Sequence, residues 1–227
     1  MLPGNENVLD RIVFSTASPG VYWHVYNTKY APTSSNHYSK ARLAWSDGSH
    51  GMFYTGATPA AALWETVLRY AEIDGQEVYT HPHHLKGMAL VRLTLLRPVP
   101  AIDLRAPYRR AVVDANTPLD TGWDHVLKVP DHDKTHVVTK RLMAQLTAAG
   151  YSDGAALIWH SRQAGSEIAT LFFEPPIEQS WWEFDSSDIY ELETPEGERQ
   201  IQLALAAQDL MWRSTPSGDG FDPPPEQ

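Results

Sequence analysis

The stretch that most constrains the fold is a strand, a turn and a helix held within residues 52–65. Met52-Phe53-Tyr54-Thr55 is a short apolar and aromatic run that suits a strand. Thr58-Pro59 supplies an N-cap and a proline at the first helical position. Ala60, Ala61, Ala62, Leu63, Glu65 and Leu68 are strong helix formers, so a helix is expected over 60–70. Such a unit can fold back on itself and bring Tyr54 and Glu65 to one cleft.

Other elements follow from similar signals. Val21 to Tyr26 is β-branched and aromatic and reads as a strand; residues 27–50 read as loop, broken by Pro32 and Asp47-Gly48. Residues 88–96 read as a strand, followed by Pro98, Pro100 and the apolar 101–104; residues 105–135 read as loop or short helix. A helix is expected over 134–149, with Val138, Leu142 and Leu146 on one face and Gly150 as its stop. Strands are expected over 155–160 and 168–173, joined by a hairpin containing Gly165, and a last helix over 198–212. Residues 1–19 read as an arm ending in a short helix, 20–212 as one α+β domain, and 213–227, with Pro223-Pro224-Pro225, as a disordered tail.

Composition removes several classes of function. The 227 residues contain no cysteine, which excludes disulfide scaffolds, thiol nucleophiles and Cys-ligated zinc. The net charge of -10 is the wrong sign for a phosphate-backbone binder, so nucleic acid is not an expected partner. No apolar run is long enough to span a bilayer and nothing at the start resembles a targeting segment, so a cytoplasmic location is expected.

Two stretches carry candidate chemistry. In the first, Glu65 sits among Ala60–Ala62, Leu63, Trp64, Val67 and Leu68. A carboxylate amid so much apolar surface is either a solvated residue paired with Arg69 at i,i+4 or is buried for a purpose. In the second, the apolar run 155–160 delivers Ser161 and Arg162 at its end. Ser161 has neither a Gly-x-Ser-x-Gly elbow nor an evident relay, so a hydrolase triad is not expected. His132 and His136 have a spacing that can place two imidazoles on one helix face, and His81, His83 and His84 cluster in a loop; with no third ligand of matching spacing, no metal site is expected. Trp181-Trp182-Glu183-Phe184 reads as core packing.

In chain order, Arg42, Phe53-Tyr54-Thr55-Gly56, Ala60-Ala61-Ala62-Leu63-Trp64-Glu65-Thr66, Ile102-Asp103-Leu104, and Gly154 through Ser161-Arg162 to Phe172-Phe173-Glu174 resemble the RES domain, named for its arginine, glutamate and serine. The resemblance covers about residues 20–176. It implies an ADP-ribosyltransferase-like fold, a split mixed β-sheet with surrounding helices, and a toxin-like enzyme that degrades NAD+ by hydrolysis or phosphorolysis. It further implies an Xre-like antitoxin as partner, and NAD+ as substrate with no separate cofactor. Arg42, Tyr54, Glu65 and Ser161 match the family's functional positions. The family's first strand usually carries an arginine beside an aromatic residue; here Tyr22-Trp23-His24 stands there, and His24 is the ionisable group available to contact the nucleotide.

On this reading Glu65 steadies the oxocarbenium-like ribose as nicotinamide leaves. Arg42 holds the pyrophosphate, Tyr54 stacks on nicotinamide or orients the ribose, and Ser161 is a hydrogen-bonding anchor. Water or phosphate takes the ribose carbon. The alternatives are a mono-ADP-ribosyltransferase acting on a protein, and a non-catalytic module that binds a nucleotide or a partner.

Overall fold

The structure is a computed structural model and describes residues 14–105, 132–148, 156–161 and 163–213. These form an α+β unit. In chain order its elements are β1 (Phe14–Ala17), β2 (Gly20–Asn27), β3 (Gly51–Gly56), α1 (Pro59–Trp64), β4 (Glu72–Asp74), β5 (Glu77–Tyr79), β6 (Met88–Leu95) and β7 (Val99–Asp103). Then come α2 (Asp133–Ala148), β8 (Ala156–His160), β9 (Ile168–Glu174), β10 (Trp182–Glu183), β11 (Ile189–Glu191), α3 (Pro195–Ala206) and β12 (Met211–Trp212).

The main sheet has the order β1-β7-β8-β9-β3-β2-β6-β10, with β11 also on β6. It is mixed, because β7 and β8 run parallel while the other neighbours are antiparallel. A small sheet, β12-β5-β4, lies beside it. The joint that matters for function is β2 with β3. These strands pair at one position, Trp23 with Gly56, and then part. On its other side β2 pairs with β6 over all eight residues, and β3 pairs with β9 over all six. The main sheet is therefore two well-laddered halves joined at a single point.

Side-chain alternation sends successive residues to opposite faces. Met52 and Phe173 pack with Leu142 and Met143 of α2, whereas Phe53 and Phe172 pack on the far face with Leu93, Ile158 and Trp182. A third cluster joins Leu63 and Trp64 of α1 to Val25, Leu90, Ile201 and Leu205. Gly56 lets α1 approach the sheet closely: a Cβ there would lie 2.5 Å from the Ala62 backbone nitrogen. Trp182 is buried in this core, as expected, while Phe184 is exposed.

Several elements differ from expectation. Residues 14–17 form a strand on β7 where a short helix is expected. Helix α1 ends at Trp64, not at residue 70. The Thr66 hydroxyl donates back to the Ala62 carbonyl at 2.6 Å, and the Leu68 N–H bonds the Leu63 carbonyl, five residues back. This side-chain competition draws the chain out of the α ladder. Helix α3 begins at Pro195, because Thr194 caps it through the Gly197 N–H. It ends at Ala206, and Asp209 with φ 58° turns the chain into β12. Leu142 is buried against the sheet; the side chains of Val138 and Leu146 lie outside the described residues, as do Gly150, Gly154, Ala155 and Arg162, most of the expected 105–135 loop, and residues 214–227. No helix of the described residues is long and apolar enough to cross a membrane.

Candidate functional site

A cavity of about 520 Å³ opens where β2 and β3 part. That is within the usual range for a small-molecule site. Its walls include His24 to Asn27 from β2, Met52 and Tyr54 from β3, Trp64 to Thr66 and Arg69 from the α1 end, and Trp159 from β8. The loop 27–50 contributes Ser34 to Ser39, Ala41 and Arg42. An open hollow of about 640 Å³, bordered by Lys40, Asp47, Asp133, His136 and Lys140, shares His37, Tyr38 and Ser39 with the cavity.

Arg42 is 7% exposed, and the loop that carries it is held at every residue from 40 to 43. The Lys40 carbonyl meets His132 Nδ1 at 3.2 Å and the Ala41 carbonyl meets His136 Nε2 at 2.9 Å. The Arg42 carbonyl accepts from the Tyr54 hydroxyl at 2.9 Å. Leu43 donates its N–H to Thr135 Oγ1 and accepts from Thr139 Oγ1, both at 2.9 Å. Leu43 is fully buried with φ 60°, a backbone region unfavourable for a branched side chain. Strain of this kind persists only where the surroundings over-determine it, and it collects at functional sites. His132 and His136, weighed in the sequence as metal ligands, serve here as clamps on this loop. Among the described residues no group of three His, Asp or Glu side chains is arranged to hold a metal ion.

Glu65 is the C-cap of α1 and is half-buried. A carboxylate at a helix C-terminus opposes the backbone dipole, a local conflict of the sort expected where function rather than stability sets the residue. Arg69 does not take up the expected i,i+4 pairing with it: its guanidinium donates to His132 Nε2. The charges of Arg69, Glu65 and Arg42 all act on the Tyr54 phenol, which places the four groups around one point. Burial, the largest influence, pushes that phenol well above its ordinary range, so Tyr54 is a neutral donor.

His24 lies at the parting of β2 and β3. Its Nδ1 is 2.6 Å from the Tyr54 carbonyl, so the imidazole bridges the strands just beyond their last backbone pair. Burial lowers its pKa to about 4, against a smaller opposing effect of that hydrogen bond. The ring is therefore neutral at pH 7, with its proton on Nδ1 for donation to the carbonyl. It offers no positive charge to an anion. Ser161 is 3% exposed; its hydroxyl accepts from the Ala164 N–H at 3.0 Å, and it does not line the cavity.

A family model described as RES domain matches residues 21–183, well over half of the chain. The chain belongs to the RES domain family. No curated protein and no solved structure matches it. Within the RES domain the cavity gathers Arg42, Tyr54, Glu65 and His24, while Ser161 shapes the turn after β8. Arg69 and Trp159 line the cavity although the sequence analysis gives neither a role in binding or catalysis. The four-residue spacing of Arg69 from Glu65 is the sequence signal that points to it.

Proposed function

We propose that this RES domain protein cleaves the nicotinamide–ribose bond of NAD+, as a glycohydrolase or phosphorylase of toxin-like type. The observation that supports this most is one cavity holding a carboxylate, Glu65, beside two guanidinium groups, Arg42 and Arg69. NAD+ presents the complement: an anionic pyrophosphate and a ribose that becomes cationic as the bond breaks. With His24 neutral, Arg42 and Arg69 are the cavity cations among the described residues and hold the pyrophosphate.

The C1′–nitrogen bond breaks with its electron pair going to the pyridinium nitrogen, which leaves as neutral nicotinamide. Glu65 stabilises the developing ribose cation electrostatically. A water oxygen then bonds to C1′ and releases a proton, giving ADP-ribose; phosphate in its place gives the 1-phosphate ester. Tyr54, as a neutral donor, orients a ribose hydroxyl. The family resemblance extends the proposal to an Xre-like antitoxin as a protein partner, which co-purification from a host carrying both would reveal.

The test is incubation of the purified protein with labelled NAD+, with and without phosphate, and separation of the products. Free nicotinamide without labelled protein is expected. Label carried onto protein would instead indicate an ADP-ribosyltransferase, and an intact NAD+ pool would refute cleavage.

A further inference from the structure

Elsewhere in the protein guanidinium groups lie against carboxylates, Arg105 on Asp103 at 2.6 Å and Arg92 on Asp188 at 3.2 Å. Arg69, in the cavity wall, instead donates to Nε2 of His132. The same imidazole meets the Lys40 carbonyl through Nδ1 at 3.2 Å. A carbonyl only accepts, so the proton sits on Nδ1 and Nε2 keeps the lone pair that receives Arg69. Burial, and then the charge of Arg69, hold the His132 pKa below its ordinary value; Arg42 and His136 act in the same direction, and the Lys40 hydrogen bond opposes them. His132 is therefore a neutral tie between two segments that line the cavity. One is the turn after α1 that carries Arg69. The other is the loop that carries Arg42, whose carbonyl accepts from Tyr54 at 2.9 Å. The charges of both arginines act on that Tyr54 phenol.

We propose that His132 is the positioning residue of an anion grip: its imidazole sets the Arg69 guanidinium beside the loop of Arg42, so that the pair receives the pyrophosphate of NAD+. This rests on the NAD+ site proposed above. Two like charges in one cavity repel, and an unrestrained arginine gives up rotamer freedom when a ligand fixes it. A tie already made in the empty site removes part of that cost before the ligand arrives. A carboxylate could make the tie, but it would cancel the charge on which the anion depends. An imidazole fixes the guanidinium and leaves its charge whole. Arg69 uses one N–H on His132 and keeps others for phosphate oxygens. His132 does not itself line the cavity, so it acts through Arg69 and not on the substrate.

The test is the affinity for ADP-ribose, which carries the pyrophosphate and needs no cleavage, measured by calorimetry on the purified protein and its variants. His132→Leu and Arg69→Met are each expected to weaken binding roughly tenfold. The double variant should be weaker than either alone by no more than about twofold, because His132 acts through Arg69. His132→Gln puts a neutral acceptor where Nε2 stands and should bind within about threefold of the wild type. His132→Glu keeps an acceptor but cancels the charge of Arg69, and should bind at least as weakly as His132→Leu. A merely structural histidine would give losses that multiply to roughly 100-fold in the double variant, and would not separate His132→Gln from His132→Glu. Either result overturns the proposal, as does an affinity unchanged in His132→Leu. Should His132→Leu not fold, the comparison of His132→Gln with His132→Glu decides. The two proposals fail separately. Absence of nicotinamide release refutes cleavage while ADP-ribose binding still decides the role of His132, and a wild type that does not bind ADP-ribose overturns the grip even where nicotinamide is released.

Discussion

His24 makes stability depend on pH in a way that can be worked out from its position. Unfolded, the imidazole titrates near 6.5; folded, burial lowers this to about 4. Between those values the unfolded chain binds more protons than the native one, so stability rises with pH through the window. It is complete above about 6.5 and is lost as the pH falls towards 4. At about 1.4 kcal/mol per pKa unit, the full loss is about 3 kcal/mol, of which about 2 kcal/mol falls between pH 7.5 and pH 5. His24→Asn places an amide donor where Nδ1 stands, keeps the bond to the Tyr54 carbonyl and cannot titrate. It forfeits the ring contact with Phe53, centroids 4.2 Å apart, so it starts less stable at pH 7.5. The quantity to measure is the change in unfolding free energy between the two pH values, from urea titrations of both proteins. His50, His84 and His132, also lowered by burial, contribute a slope of the same sign to both. The wild type should lose about 2 kcal/mol more than His24→Asn. Equal losses would show that His24 is not buried in the neutral form, and the account of how β2 and β3 part would fall with it.

Other perturbations test the neighbouring joints. Gly56→Ala would push a Cβ against the α1 backbone, and denaturant unfolding should show a loss of about 1–3 kcal/mol. Tyr54→Phe removes the donor to the Arg42 carbonyl; a loss of about 1–2 kcal/mol is expected, with faster amide exchange over residues 40–43. Arg69→Met should raise KM for NAD+ roughly tenfold with a smaller effect on kcat, as removal of a pyrophosphate contact requires; an unchanged KM would take Arg69 out of substrate binding.

How far the fold could be read from the sequence varied with the kind of signal. Val21 to Tyr26 and Ile168 to Phe173 are long β-branched and aromatic runs, and both are strands. Thr58-Pro59 correctly starts α1, but the end of that helix depends on the Thr66 hydroxyl choosing a backbone acceptor, which propensity does not encode. Thr194-Pro195 repeats the same start signal and was overlooked at α3. Asp74-Gly75, with Gly75 at φ 60°, is a hairpin signal joining β4 to β5 that the sequence reading did not use. For the site, Tyr54 and Glu65 were placed near one cleft by the strand–turn–helix unit alone, and both line the cavity. The clamp on residues 40–43 was not legible. It joins side chains of α2, and of His132 just before it, to carbonyls more than ninety residues away in sequence, and only the assembled sheet brings them together.

The central claim is that the Glu65 carboxylate steadies the ribose cation. Glu65→Gln preserves shape and removes the charge, and the direct measurement is nicotinamide released from NAD+ per minute by the purified variant and by the wild type. A fall of roughly 100-fold or more, at an unchanged melting temperature, is the result this account predicts. A folded variant that releases nicotinamide at the wild-type rate would contradict it.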